Sequence, residues 1–420
     1  MSVTGGAHSQ LTDSSPLSST RWAILALVVV ATIINNFDRQ MIALLKPFIE
    51  AEFGWGDTLY ARLAFWFQIG AAVSYLFAGW FVDRAGVRIG YAVGVGVWSF
   101  FTLLHAFVQS FAGMVGLRIA LGGSESVNTP AAIKAVATYF PPRESSLAMG
   151  IANSASNIGA IITPLAIPAM AIAFGWRNAF IVTAVAGFVW LVVWLLVRPA
   201  APSLAGVVPT PEASLVHEPA DRWFDLLRDR RVAGFALAKA LTDSVWWLMM
   251  FWAPDFFMRT FSLTVSEVAL PVAGVYVLAA LGSVSGGMLA QRLILRGMPV
   301  KDARLRVLFT YGTLALVAPI ALFTAQLWVS VLMVGLVLFA HQGFSTNLFA
   351  TVIDAFPARR VASVVALGAL AGNVAGAVVQ LLVGWLLETG IGYLPLFVAA
   401  GLAYLLGALA IRALTLRAGD

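Results

Sequence analysis

Apolar stretches of about 20 residues, the length a helix needs to cross ~30 Å of hydrocarbon, recur along this chain with short polar interruptions. The pattern predicts helices over 22–45, 60–81, 88–108, 111–139, 145–174, 177–197, 232–258, 267–290, 305–324, 327–354, 359–388 and 392–413. Six of these twelve spans fall on either side of one long polar stretch, Arg198 to Arg231. It carries Pro199, Pro202, Pro209, Pro211 and Pro219 and then a charged run from Asp225. The chain therefore divides into a polar, Ser/Thr-rich tail (1–20), a six-helix bundle (21–198), a linker (199–231) with a short surface helix expected near Trp223, and a second six-helix bundle (232–420). The first apolar run continues from Arg21 through Asp38 and Arg39 without a small-residue cleavage site, so it does not read as a secretory signal.

Two short segments repeat about half a chain apart. The polar connection Gly79, Asp83, Arg84, Gly86, Arg88 has a worn copy in which Gly287 is followed at the same offsets by Gln291 and Arg292. Phe140-Pro141-Pro142-Arg143 is likewise echoed by Phe356-Pro357-Ala358-Arg359. Two echoes at nearly one spacing imply a duplicated chain. In an apolar protein that duplication suits a transporter, because two repeats rocking about a shared midplane site give alternating access.

Composition agrees with the spans. Hydrophobic residues make up 60% of the 420, charged residues 11%, and mean hydropathy is +0.89, where a soluble domain is about 25% charged. There is no cysteine, so a disulfide framework, a thiolate metal site and a cysteine nucleophile are excluded. The net charge of +6 is a matter of topology. With the amino terminus inside, Arg21, Arg84, Arg88, Arg143, the linker arginines, Arg292, Arg296, Lys301, Arg304, Arg306, Arg359, Arg360, Arg412 and Arg417 all fall on the inner side. Lys46, Arg62, Arg177 and Arg259 are left outside. Both termini are then cytoplasmic, and no concentrated basic patch points to a nucleic-acid partner.

These residues carry a resemblance. The Gly79–Arg88 segment resembles the signature loop between the second and third helices of the major facilitator superfamily, and Arg118-x-x-x-Gly122-Gly123-x-Glu125 resembles its fourth-helix motif. A finer likeness is to the anion:cation symporter family, bacterial hexuronate transporters in particular. It is carried by Asn36-Phe37-Asp38-Arg39-Gln40 with Leu45-Lys46-Pro47, by Pro130 to Ala137, by Lys239 to Asp243 with Trp246-Trp247, and by His341 to Ser345. The resemblance spans the chain outside the tail and linker. It implies an all-α membrane protein of two pseudo-symmetric six-helix bundles in a bacterial inner membrane. It also implies proton symport of a hexuronate (glucuronate or galacturonate) or related sugar acid, with no cofactor beyond the coupling proton, and function as a monomer. An aldonate or monocarboxylate symporter is the alternative, and a drug or metabolite antiporter of the same fold a more distant one.

Ionisable residues inside the spans point to the chemistry, since a charge in hydrocarbon costs at least ~2.5 kcal/mol and is usually paired or functional. Asp38 and Arg39 are adjacent and point about 100° apart on one helix, so Asp38 is free to take a proton while Arg39 faces a ligand. Arg118 and Glu125 stack two turns apart on one face of the fourth span. In the fold this chain resembles, the first and fourth helices line the central cavity. Arg39 is expected to clamp a carboxylate, supported by Arg118 or Lys134, with Asp38 and Glu125 as the proton-coupling carboxyls; an Asp38–Arg118 ion pair is the structural alternative. Lys134 lines the cavity or snorkels to the inner interface. Lys239 and Asp243, four apart, can neutralise one another.

Uncharged polar groups suit a polyhydroxylated ligand: Asn153, Ser156 and Asn157 on the fifth span, His341, Gln342, Ser345, Thr346 and Asn347 on the tenth, Asn373 and Gln380 on the eleventh. Each can equally serve as interhelical glue. Tyr75, Tyr276, Trp66, Trp246 and Trp247 are expected as cavity aromatics. His341 is a lone membrane histidine, so no metal is expected. In the signature loop, Gly79 is expected to let helices approach closely and Asp83 to meet a helix end or an arginine of another inner loop. Together with Arg84 and Arg88 they would form a latch for the inner gate, the alternative being a solvated turn. The absence of H-E-x-x-H and of a Walker loop leaves an intramembrane protease or a nucleotide-driven pump without its machinery.

Overall fold

The computed structural model describes residues 16–197, 226 and 228–415. Residues 1–15 of the tail and nearly all of the linker, Trp223 included, lie outside the described residues. The first span is Pro16–Leu44, followed by a short outer helix, Lys46–Phe53. The second and third share one element, Asp57–His105, which turns at Gly86. The fourth is broken into Phe111–Glu125 and Asn128–Tyr139, and the fifth and sixth are Pro142–Phe174 and Trp176–Leu196. The second half follows as Arg230–Phe261, Ala269–Leu295, Val300–Leu314 (carried on through Ile320–Phe323), Leu327–Ala355, Ala358–Glu388 and Leu394–Ala410. Twelve crossings thus stand in two sets of six, the tenth span being Leu327–Ala355. Among the described residues, nine helices are long and apolar enough to cross a membrane, and Asp57–His105 is long enough to cross twice. The other two crossings are the broken fourth span and the seventh, which carries Lys239, Asp243, Asp255 and Arg259.

Two spans differ from the sequence pattern for local reasons. Polar residues around Asp83 read as a connection, yet Gly86 at φ 75°, ψ 154° lets the chain turn with little loss of helical bonding. The fourth span pauses at Ser126 and Val127. Pro130 has no N–H for the Ser126 carbonyl, and the Ser124 and Ser126 hydroxyls donate back to carbonyls at Ala120 and Gly123. The break directly follows Glu125.

The duplication is visible in the packing. Phe140 and Phe356 both end helices in extended conformation, and Pro141 and Pro357 start the next ones with nearly equal torsions (φ −66°, ψ 155° and φ −62°, ψ 148°). In lipid, helices associate by close packing of small residues. Gly70 and Gly122 provide it between the second and fourth spans, where an added Cβ would lie 2.3 Å from the Ile119 carbonyl and 2.2 Å from that of Phe67. Gly282 and Gly286 do the same between the eighth and tenth, against Phe339 and Gly343. The close approach expected at Gly79 is therefore found elsewhere, because an added Cβ there meets nothing within 4 Å. Large apolar side chains such as Phe77, Trp80, Phe174, Leu295 and Phe323 point outward, as a lipid-facing surface requires.

Candidate substrate and proton-coupling site

The first span presents Arg39 to the fourth. Arg39 Nε donates to Glu125 Oε2 at 2.9 Å and its Nη2 to the Tyr75 hydroxyl at 3.4 Å. Glu125 is fully buried and uses one oxygen; Oε1 meets no protein donor. Arg118, two turns earlier on the same face of that helix, is also fully buried. Its guanidinium lies over the Phe67 ring at 4.2 Å, and none of its three nitrogens has a hydrogen-bond partner. Asp38, 1% exposed, likewise keeps both oxygens unpartnered. Two cations and two carboxyls thus share one buried region with a single direct bond among them, an arrangement with spare capacity for a charged ligand.

Lys134 falls elsewhere. Its Nζ donates to the Val82 carbonyl at 3.1 Å and to Asp83 at 2.8 Å. It belongs with the signature loop of its own half and not with Arg39, because the break after Glu125 and the turn at Gly86 bring the two inner ends together. In this conformation Asp83 pairs within its half rather than with an arginine of another loop; Arg84 is exposed, and Arg88 donates to the Leu195 carbonyl at 2.8 Å.

In the second half the candidates form an aromatic group. The His341 ring stacks on Trp246 at 5.1 Å and its Nδ1 lies 3.1 Å from the Tyr404 hydroxyl. Tyr276 meets Trp246 edge-on, and Trp247 stacks on Phe251. Asn373 donates to the Ala369 carbonyl and keeps its oxygen unpartnered. Gln342 and Ser345 are half-buried, Asn157 half-buried and Asn153 exposed. Lys239 and Asp243 form an ion pair at 2.7 Å.

Two features escaped the sequence reading. Gln68 is fully buried with both amide atoms unpartnered, and it converges with Trp247 on Gly376 of the eleventh span. A single amide in an otherwise apolar run was its only signal. The outer end holds the second feature, a tie between the halves. Lys46 Nζ reaches Asp57 at 2.8 Å, Asp255 at 2.5 Å and Glu50 at 3.0 Å. Arg259 bonds Asp57 and Asp255 in turn, Tyr393 donates to Asp255 at 2.6 Å, and Tyr60 donates to the Phe251 carbonyl at 2.7 Å. Lys46 is 1% and Asp255 5% exposed, so this end of the molecule is shut. In the sequence, Arg259 reads as residual outer charge, and Lys46 as that and as part of the Leu45-Lys46-Pro47 likeness, neither with a partner across the halves.

Residues 28–378 match the family model described as Major Facilitator Superfamily. The chain is 28% identical over 418 residues to the Hexuronate transporter of Escherichia coli (strain K12), covering 94% of each chain. It is 25% identical to the Probable L-galactonate transporter of the same organism, covering 94% of this chain and 90% of that one. Among solved structures, a bacterial homolog of the human lysosomal transporter Spinster, in an inward-facing and unoccupied conformation, superposes with a TM-score of 0.71 at 18% identity, covering 96% of both chains. At that identity the superposition speaks to the fold alone.

Proposed function

The chain belongs to the Major Facilitator Superfamily, and on that ground we propose that it is a secondary active transporter taking up an organic anion with protons. The anion is a hexuronate such as glucuronate or galacturonate, or a related sugar acid, and the protein works as a monomer in the cytoplasmic membrane of a bacterium. One observation carries the proposal: Arg39 is held by Glu125 alone among acidic groups, with Arg118 buried and unpartnered beside it. An arriving carboxylate competes with Glu125 for the Arg39 fork. Two carboxylates cannot both stay charged around the same cation in a dry site, so Glu125 takes up a proton as the ligand binds. Arg118 and Tyr75 stand ready for the ligand's other oxygens, and Asp38 is the second proton acceptor. Exposure to the inside reverses the exchange: Glu125 loses its proton, reclaims Arg39 and displaces the anion. The hydroxyls of a sugar acid find Gln68, Asn373, Gln342 and Ser345, with Trp247 as an apolar wall.

The names of the relatives support a sugar acid. One of them, the Probable L-galactonate transporter, favours an aldonate as the second reading. Uptake by vesicles reconstituted with the full chain decides between them, using glucuronate, galacturonate, galactonate and a plain monocarboxylate under an inward pH gradient. Uptake of the two hexuronates ahead of galactonate is the expected result. Preference for the plain monocarboxylate overturns the substrate assignment, and uptake indifferent to the gradient overturns the coupling.

A further inference from the structure

Besides the pair that faces a ligand, the N-terminal half buries a second line of polar side chains. Trp98, Ser99, Thr102 and His105 recur at three- and four-residue steps along one face of the third span, and all are within 1% of complete burial. This face looks towards Asp38 of the first span and Arg118 of the fourth. The Thr102 hydroxyl faces the Asp38 carboxyl, and no direct hydrogen bond joins the two. His105 lies within electrostatic range of Arg118, which in turn senses Asp38, Glu125 and the Tyr60 hydroxyl of the second span. From the sixth span Phe180 stacks on the imidazole at 5.1 Å, with Trp176 beyond.

Trp98 Nε1, Ser99 Oγ, Thr102 Oγ1 and His105 Nε2 meet no protein partner, nor do the Arg118 nitrogens and the Asp38 oxygens opposite them. Buried polar atoms are rarely left so, and a row of them is a path that bridging water can follow. The histidine is arranged for proton work. Its Nδ1 lies 2.7 Å from the Phe101 carbonyl, which only accepts, so Nδ1 carries the hydrogen and Nε2 keeps a free lone pair. His105 also closes the third span at its outer end, two residues before exposed Phe107.

On the premise that Asp38 and Glu125 carry the coupling proton, we propose that the N-terminal half contains its own proton entry route, running from the outer surface through His105 Nε2 and the Thr102 hydroxyl to Asp38. Nε2 takes a proton from outer water and returns it to bridging water on its inner side. The Thr102 hydroxyl accepts from that water and gives its own hydrogen to the Asp38 carboxylate, so one bond to hydrogen forms for each that breaks. With no direct bond between Thr102 and Asp38, the last link stands open while the outer end is tied shut, which prevents a proton leak as the load is discharged inside.

The test uses vesicles holding the full chain, with labelled glucuronate as the probe. His105→Phe keeps a ring against Phe180 and removes Nε2; Thr102→Val keeps the shape and removes the hydroxyl. Either variant should lower the initial rate of uptake driven by a pH gradient on the order of 100-fold, the lower end of the usual contribution of a positioned proton carrier. The deficit should shrink as the outer pH is lowered, because a higher proton concentration offsets a slow relay. Glucuronate counterflow, which needs no net proton movement, should stay at the wild-type rate. Wild-type rates of gradient-driven uptake in both variants overturn the route and leave coupling through Asp38 and Glu125 standing. A deficit equal at every pH and shared by counterflow also overturns it, marking these residues as structural. If His105→Phe does not fold, the isosteric Thr102→Val is decisive by the same readings. Wild-type protein that ignores the gradient removes the premise and the route together.

Discussion

The two halves share one helix plan and fill it with opposite chemistry. At the offset that separates Gly79 from Gly287, Asp38 and Arg39 of the first span fall on Trp246 and Trp247 of the seventh. At the offset that separates Phe140 from Phe356, Glu125 falls on His341. Where the first half joins its first and fourth spans by an ion pair at 2.9 Å, the second joins its seventh and tenth by a ring stack at 5.1 Å. Duplication has thus kept the backbone while dividing the labour. At these positions one half holds buried ionisable groups and the other flat aromatic walls. On the proposed function, a substrate between them would meet attraction on one side and shape on the other.

If the first half is the ionic one, removing the mostly buried cation Arg39 has the largest effect. Arg39→Ala leaves Glu125 buried without its partner and deprives a carboxylate of its fork. Truncating one member of a buried charge pair costs about 2–5 kcal/mol, or on the order of 30- to 5,000-fold in affinity. Arg39→Lys should recover little, because a lysine cannot reproduce the planar fork. Equilibrium binding of glucuronate to purified protein measures both, and unchanged affinity in Arg39→Ala would pass the clamp to Arg118.

The tie between the halves comes next. Asp255 is where Lys46, Arg259 and Tyr393 converge, so Asp255→Ala loosens the outer closure. Lys46 and Arg259 both retain Asp57, which keeps the loss below the 3–5 kcal/mol of a fully unpaired buried charge. A loss of about 2 kcal/mol shifts the balance towards outward-open molecules roughly thirtyfold. Spin-label distances across the outer mouth should lengthen in the variant without substrate; unchanged distances would make the cluster a bystander to closure.

Glu125→Gln separates coupling from binding. The amide has the shape of the protonated carboxyl, so binding and exchange should persist while accumulation is lost. One proton per anion gives about tenfold accumulation for each pH unit of gradient, since a unit is worth 1.36 kcal/mol, and the variant should fall to none. Concentrative uptake at the wild-type level would leave Asp38 as the essential site.

The second half should respond mildly. His341→Phe preserves a ring against Trp246 and leaves the Tyr404 hydroxyl without its partner, a change of about 1 kcal/mol or fivefold in affinity. The pH dependence of uptake should not move. A flattened pH profile would break the comparison by giving His341 a share of the proton chemistry.

How much of this was legible depended on distance along the chain. Span length, the repeated Phe-Pro corners and the buried charges of the first and fourth spans are local signals that carry the fold; that the first and fourth spans meet, as Arg39 and Glu125 do, is implied only by the family resemblance. Gly86 misled because polar residues around Asp83 mark a membrane exit without saying whether the helix ends there. The break after Glu125 had a signal in Pro130 four residues beyond Ser126, outweighed by the apolar run on both sides. The outer tie joins Lys46 to Asp255 across more than two hundred residues, and nothing local distinguishes a lysine awaiting a partner in the other half from a solvated one. Lys134 was drawn to the ligand by its depth in an apolar helix, whereas a helix break beneath it turned it towards Asp83.

That last pair yields the smallest effect. The Asp83 side chain is 76% exposed and the Lys134 side chain 29%, bonded at 2.8 Å. Exposed ion pairs contribute about 0–1 kcal/mol, since water screens the charges and two long side chains lose freedom to hold one geometry. Asp83→Asn should therefore leave glucuronate binding intact and change the ratio of inner-open to inner-closed molecules by no more than about fivefold. The reading is again by spin labels, now across the inner mouth, and in salt as well as without it. A modest lengthening that fades with added salt fits a screened surface latch within one half. A change well beyond fivefold would mean that in the inner-closed state Asp83 leaves Lys134 for a buried partner in the second half, and that the ionic chemistry of the first half reaches across the mouth to hold it shut.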